Sequence, residues 1–492
     1  TYILKGEGEE IWMPQFTFHG FRYIEVTGWP GRPTLDNIEG IRLSADLKAT
    51  GEFSSSNELL NRLHRVLDYT FLSNVFSVES DCPAREKFGY GGDIVGVSRT
   101  FCYFYDMHNF YAKAIRDFAN DQRPLGGFTE TAPYNGIADQ GLGDGSGPIG
   151  WQLAFAFLQK QLYEYYGDKR IIENYYPQLK KQVDFLASKA EDYMIDRCIN
   201  DHESLDQRIP ALFATAHFYH HVLLITEFAQ LTNRKADQQQ YESLAQQIKA
   251  AFIQKFVQTD TGKIGNGTPA EQAFGLYYGL IPEDIKTKVI QQLVQAISNR
   301  NNHITSGIFG TPIVLTVLSD LNLNDIAYQM ATQTDFPGWG HMLSSGATTL
   351  WETWKYSDNV FSHNHPMFGS VGEWMYQSLA GVKALSPGFK QICIHPQASG
   401  DLQWVNSSYE SSRGKITCQW KKENGIYTLQ VHIPANTKAQ VFIPNKSQLI
   451  KESGESIASS SLIQIIREES DHCWLEIPSG NYQFSCPIPQ KD

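Results

Sequence analysis

The chain has no paired-cysteine motif, no long apolar run, no basic tract and no initiating methionine. Each lack excludes something. Seven cysteines, Cys82, Cys102, Cys198, Cys393, Cys418, Cys473 and Cys486, are dispersed and odd in number, without a C-x-x-C pair. Neither a zinc site nor a dithiol redox pair is expected, no cofactor is called for, and at least one thiol is free. No stretch approaches the roughly 18 consecutive apolar residues of a transmembrane helix, so no membrane span is expected. The net charge is −12 and Lys and Arg never cluster, which argues against nucleic acid or an anionic membrane surface as partner and favours a neutral substrate. The chain starts at Thr1 without a signal-peptide pattern, and its start is read as the inside of a truncated domain.

A chain of 492 residues exceeds one ordinary core and suggests two or three domains. Aromatics make up 13%, most of them core material, in an excess that also suits carbohydrate binding. Residues 1–52 alternate apolar and polar in short runs, as in Phe16-Thr17-Phe18 and Phe21-Arg22-Tyr23-Ile24-Glu25-Val26, and predict strands. From Ser54 the period turns helical and stays so to about residue 384, with a dozen segments near 54–76, 93–105, 108–121, 148–166, 168–188, 211–232, 237–256, 269–279, 283–299, 310–321, 324–333 and 368–384. Six helical hairpins or an irregular helical array would both read this way. After about 388, strand patterns return with turn residues every eight to twelve positions, as in an antiparallel sandwich.

Two stretches carry chemistry. Asp81-Cys82-Pro83-Ala84-Arg85-Glu86-Lys87-Phe88-Gly89-Tyr90-Gly91-Gly92-Asp93 crowds acids, a guanidinium and three glycines into a loop. The glycines admit close backbone approach, and carboxylates so near one another repel unless a cation or a polyhydroxylated ligand engages them. A solvated acidic loop is the competing reading, and ion-pair networks perturb carboxyls too. Cys82 beside proline and acids has an environment that raises a thiol pKa, so it is read as a small buried residue. Far downstream, Gly346-Ala347-Thr348-Thr349-Leu350-Trp351-Glu352-Thr353-Trp354 sets a carboxylate between indoles, a pairing suited to sugar rings, and Asn364-His365-Pro366 follows. The spacing of His217, His220 and His221 suggests metal, but the helix around them is apolar, and packed or hydrogen-bonded histidines are expected.

Together these stretches resemble the signature regions of the α-L-rhamnosidases of glycoside hydrolase family 78. The shared residues are Asp81-Cys82-Pro83, Arg85-Glu86, Gly92-Asp93, the whole of Gly346 to Glu352, Asn364-His365 and Gly369-Ser370-Val371-Gly372-Glu373-Trp374. The resemblance implies an (α/α)6 barrel over 53–386, preceded by the end of an N-terminal β-sandwich domain (1–52) and followed by a C-terminal β-sandwich (387–492). It implies inverting release of terminal α-L-rhamnose, with Glu86 as general acid, kept protonated by Asp81 and Asp93, and Glu352 as general base. By the same carry-over Asp81, Arg85 and Asp93 hold sugar hydroxyls, His365 assists, and Tyr90 and Trp151 line the pocket; Trp339, in the loop immediately before the Glu352 segment, is expected to wall the same pocket. For Trp151 a packing role at a helix start competes, for Asp93 an N-cap, for His365 a helix-entry role. Tyr90 stands where the family usually has Trp, and the step from Arg85 to Gly89 is one residue shorter than in many members, so the sugar wall is the least determined feature. The rival readings are a helical-barrel hydrolase of another glycoside and a carbohydrate-binding protein that lost turnover. Export to the periplasm or the exterior is expected of an enzyme of glycoside breakdown, with the cytoplasm as the alternative.

Overall fold

In the computed structural model, residues 2–357 and 361–488 are described. Helices alternate between two kinds along the chain. Glu58–Asn74, His108–Asn120, Lys169–Lys189, Lys235–Phe256, Lys286–Ser298 and Asn324–Thr332 each bury one stripe and show a polar face to solvent. Between them, Gly91–Phe104, Ala154–Tyr166, Pro210–Leu231, Pro269–Tyr277, Gly310–Asp320 and Val371–Trp374 are buried over most of their length. A helix apolar nearly all round must sit inside, whereas an amphipathic one belongs to the outer layer. The inner helices touch in chain order, and Val371–Trp374 returns to Gly91–Phe104, which closes the ring. This is an (α/α)6 barrel.

The connections are of two lengths. An inner helix passes to the next outer one through short turns, such as Gly167 in the left-handed conformation with Asp168 capping Lys169–Lys189. An outer helix returns to the next inner one through long segments, among them 75–90, 121–148, 190–209 and 333–370. All long segments therefore meet at the N-terminal ends of the inner helices. A rigid ring presenting long loops at one end is where binding and catalysis concentrate.

The expected helix over 368–384 is divided into Val371–Trp374, a π-helical turn Met375–Leu379, and a strand Val382–Ala384. That strand pairs with Gln391–Ile394, which lies parallel to the second half of the long strand Ile426–Ile443. The other ladders are antiparallel and run Trp404–Ser411, Gly414–Glu423, Ile426–Ile443, Cys473–Pro487. Trp420 donates its indole N–H to the Leu379 carbonyl at 2.8 Å, and Tyr103 its hydroxyl to Val382 at 2.8 Å, seating the sheet on the end of the barrel away from the long loops.

The N-terminal stretch departs from expectation. Among the described residues before 48 the only regular element is the short 3₁₀ turn Leu35–Asn37, and Phe16, Phe21 and Tyr23 are exposed. The alternation is present, but a strand forms only against a partner, and among the described residues no strand pairs with this stretch. The strand that does form, Gly51–Ser55, pairs with Trp404–Ser411 and so completes the C-terminal sheet. Gly51 is required there because a Cβ would lie 2.2 Å from the Tyr103 carbonyl oxygen. Among the described residues no helix is long and apolar enough to cross a membrane.

Candidate active site

The loop before Gly91–Phe104 is closed on itself: the Asp81 backbone N–H donates to the Phe88 carbonyl at 3.0 Å, and the Phe88 N–H donates to Asp81 Oδ1 at 2.9 Å. Asp81 is buried, and burial foremost raises its carboxyl to about 6, against the lowering pull of His365. Cys82 is fully buried, and burial pushes its thiol up, so it is a packing residue. Gly89, Gly91 and Gly92 answer to proximity, not to left-handed backbone. A Cβ at Gly89 would meet the Ala132 carbonyl at 2.6 Å, one at Gly91 the Trp151 carbonyl at 2.2 Å, and one at Gly92 the Trp151 ring at 2.4 Å.

Arg85 stands between the two acids. Its Nη2 lies 3.6 Å from Glu86 Oε1 and 3.8 Å from Glu352 Oε1, so residues distant in sequence share one guanidinium nitrogen. Glu352 is further held by the Ser362 N–H, which donates to Oε2 at 2.5 Å, and by His365, whose Nδ1 is 3.7 Å from the same oxygen. His365 Nε2 donates to Asp93 Oδ1 at 2.7 Å. Burial would lower the His365 pKa, but Asp93, with Glu352 and Asp81, outweighs it and raises the pKa. Asp93 therefore belongs to the first turn of its helix, whose N-cap is Tyr90, and its carboxylate serves His365 rather than the helix end.

Asp81 Oδ1 accepts from the Phe88 N–H and Asp93 Oδ1 pairs with His365, and both carboxylates also act on the Tyr90 phenol. Glu130 in the next long loop is raised to about 7 by burial first, with Asp139 and Glu86 adding to it against the Asp139 N–H. Tyr90 lies partly exposed among these acids, and burial followed by Glu86, Glu130, Asp81 and Asp93 raises its phenol, which stays neutral and can donate.

The tryptophans are placed deeper than expected. Trp339 is fully buried, gives its indole N–H to the Phe368 carbonyl at 3.0 Å and meets Trp354 edge-on at 5.2 Å. It supports the wall from behind and does not line the pocket. Trp354 is likewise enclosed, bonded to the Ser306 carbonyl at 2.9 Å, and Trp351 stacks on His363 at 5.2 Å, so the two indoles beside Glu352 brace the segment. Trp151, also buried, forms the floor under Gly92 with its edge towards Phe309 and His202.

The loop 190–209 contributes residues that motif reading passed over. Asp201 accepts from the N–H groups of Gly307, Phe309 and Gly310 at 2.7, 3.0 and 2.8 Å, pinning the entry of an inner helix. Two residues on, Glu203 is raised by burial and then by the charge of Glu352. The signal lay in chain position: this segment precedes an inner helix, as the two motif-bearing loops do. The three histidines of Pro210–Leu231 go separate ways. His221 contacts the His217 carbonyl and Gln182, His220 the Tyr278 hydroxyl, and His217 packs edge-on against Phe309 and Phe274. Among the described residues no group of His, Cys, Asp and Glu is arranged to hold a metal.

Comparison with known proteins agrees with this arrangement. Residues 48–379 match the bacterial α-L-rhamnosidase 6 hairpin glycosidase domain, 381–458 the bacterial α-L-rhamnosidase C-terminal domain, and 1–44 the bacterial α-L-rhamnosidase concanavalin-like domain. An α-L-rhamnosidase of Streptomyces avermitilis is 33% identical over 99% of this chain and 47% of its own length. One from Formosa agariphila is 29% identical over 98% of this chain and 54% of its own. The chain thus spans about half the length of the curated relatives it matches. The structure of an α-L-rhamnosidase from Dictyoglumus thermophilum superposes with a TM-score of 0.90 at 32% identity, covering 97% of this chain and 55% of that one. The crystal structure of the Streptomyces avermitilis α-L-rhamnosidase complexed with L-rhamnose superposes with a TM-score of 0.89 at 30% identity, covering 98% and 46%. With the ring of six hairpins and both signature loops in place, the chain belongs to the bacterial α-L-rhamnosidase family.

Proposed function

We propose that the chain carries the catalytic barrel of an inverting α-L-rhamnosidase that releases terminal α-L-rhamnose from plant glycosides or polysaccharide side chains. Glu86 is the general acid and Glu352 the general base. The observation that carries this is Arg85 between the two carboxylates. Contacts of 3.6 and 3.8 Å from one nitrogen bring two carboxylates from loops far apart in sequence onto one guanidinium, the pair of acids that glycoside hydrolysis asks for, and inversion predicts about 6.5–9.5 Å between their carboxyl groups. Glu86, at the exposed rim, protonates the departing glycosidic oxygen. Glu352, at the buried side, takes the proton of a water attacking the opposite face of the sugar. Asp81, Arg85, Asp93 and His365 bind the rhamnosyl hydroxyls, and Tyr90 adds a neutral donor at the wall. A relative's complex with L-rhamnose supports the choice of sugar.

Hydrolysis of p-nitrophenyl α-L-rhamnopyranoside, with the first-formed anomer followed by proton NMR, tests this reading. Initial β-L-rhamnose is the expected product. Initial α-L-rhamnose would overturn inversion, and cleavage only of other α-glycosides would overturn the sugar assignment.

A further inference from the structure

The acid loop is touched from outside the barrel. Lys87, next to Glu86, has φ 62, a left-handed conformation that costs a residue with a Cβ and persists only where its surroundings impose it. Its ammonium donates to the Phe18 carbonyl at 2.7 Å and lies 4.5 Å from the centre of the Phe18 ring. Phe18 is itself wedged edge-on against Phe76 at 4.7 Å. Two residues on, Gly20 runs so close to Pro83 that a Cβ would lie 3.1 Å from its ring, and Arg22 Nη2 donates to the Thr348 hydroxyl at 3.1 Å, in the segment that carries Glu352. A stretch within the concanavalin-like match thus lies across both signature loops.

The consequence falls on Glu86. At 41% side-chain exposure its carboxyl lacks the enclosure that holds Glu352, so its direction depends on the backbone that presents it. One end of that backbone is closed by the Asp81–Phe88 bonds, and the other turns at Lys87. We propose that Lys87 is a positioning residue for the general acid: clamped on Phe18, it holds the left-handed turn that aims the Glu86 carboxyl at the leaving-group oxygen. This inference rests on the reading of Glu86 as the acid.

The chemistry supplies a readout that loss of folding would not imitate. Proton donation matters most for a leaving group that departs poorly as an anion and least for one that departs unaided. Methyl α-L-rhamnopyranoside and 2,4-dinitrophenyl α-L-rhamnopyranoside are the probes, with kcat/KM measured for Lys87→Ala, Lys87→Gly and Lys87→Arg in the 492-residue chain. Lys87→Ala and Lys87→Gly lose on the order of tenfold with the methyl glycoside and under about threefold with the dinitrophenyl one, a fraction of the about 10²–10⁴ that a general acid supplies. Lys87→Gly removes the side chain without opposing the turn, so it separates loss of the clamp from misfolding. Lys87→Arg, which keeps a donor and a cation over the ring, restores both rates. Equal losses on the two substrates, or none on either, overturn the inference. Glu86→Gln run in parallel keeps the two readings apart. Selectivity in Glu86→Gln but not in the Lys87 variants sinks the clamp alone, and its absence in Glu86→Gln sinks the acid assignment.

Discussion

The two carboxylates proposed for catalysis sit in opposite settings. Glu86 has 41% of its side chain exposed, while Glu352, 10% exposed, is gripped by the Ser362 N–H, Arg85 and His365. The difference matches what inversion asks of each. An acid at the rim must reach leaving groups of varied size, whereas a base must present one water from one direction. Enclosure by packed indoles gives the base side its rigidity, and a clamp from the N-terminal stretch compensates for the acid's lack of it.

Breaking the comparison starts with the largest effect. Glu352→Gln should cost about 10²–10⁴-fold in kcat whatever the leaving group. Stopped assays on the methyl and dinitrophenyl rhamnosides check this, and a loss confined to the methyl glycoside would exchange the two roles. Asp93→Asn should cost about 10–100-fold, the scale of one hydrogen bond to a charged group. Asp93 is the foremost influence raising the His365 pKa against burial, so its loss moves the titration of His365 to lower pH, which histidine NMR of the variant reads directly. Unchanged titration would mean that Glu352 and Asp81 suffice.

Smaller effects probe the support behind the base. Trp339→Phe removes the bond to Phe368 but no group that touches the pocket, so thermal unfolding should show about 1–3 kcal/mol lost from the unpaired carbonyl, and more from the void left by the indole, with kcat/KM nearly unchanged. A kinetic defect out of proportion would return Trp339 to the pocket wall. On the acid side, buried Glu79 accepts from the Tyr111 hydroxyl at 2.8 Å, and burial raises its carboxyl from 4.5 to about 8. A carboxyl raised on folding favours the folded state fully below about pH 4.5, and that contribution is lost as pH rises through about 8. Glu79→Gln should therefore flatten the fall of Tm across this window, and a slope equal to that of the unaltered chain would locate the pH sensitivity elsewhere.

Much of this was legible in the chain. The helix periodicity located the barrel helices, because an inner helix must be apolar nearly all round and an outer one on a stripe. Asp81, Arg85, Glu86, Asp93, Glu352 and His365, named from two motifs, do come together at one end of the ring. The failures share a cause. Trp351 and Trp354 read as sugar platforms because they flank Glu352, and Trp339 as pocket wall because its loop precedes that segment, yet closeness in sequence says nothing about which way a ring turns in irregular backbone. The alternation over 16–26 read as strands, although pairing depends on a neighbour that local pattern cannot supply.

By itself, then, the sequence determined which loops carry the clustered acids, which helices face inward and which family the chain joins, since these follow from residue type and period. Only the tertiary structure decided that Arg85 would stand between Glu86 and Glu352, that His365 would link Asp93 to Glu352, and that Phe18 would clamp Lys87. Closing a ring of six hairpins sets loops hundreds of residues apart against one another, and no local pattern carries that distance.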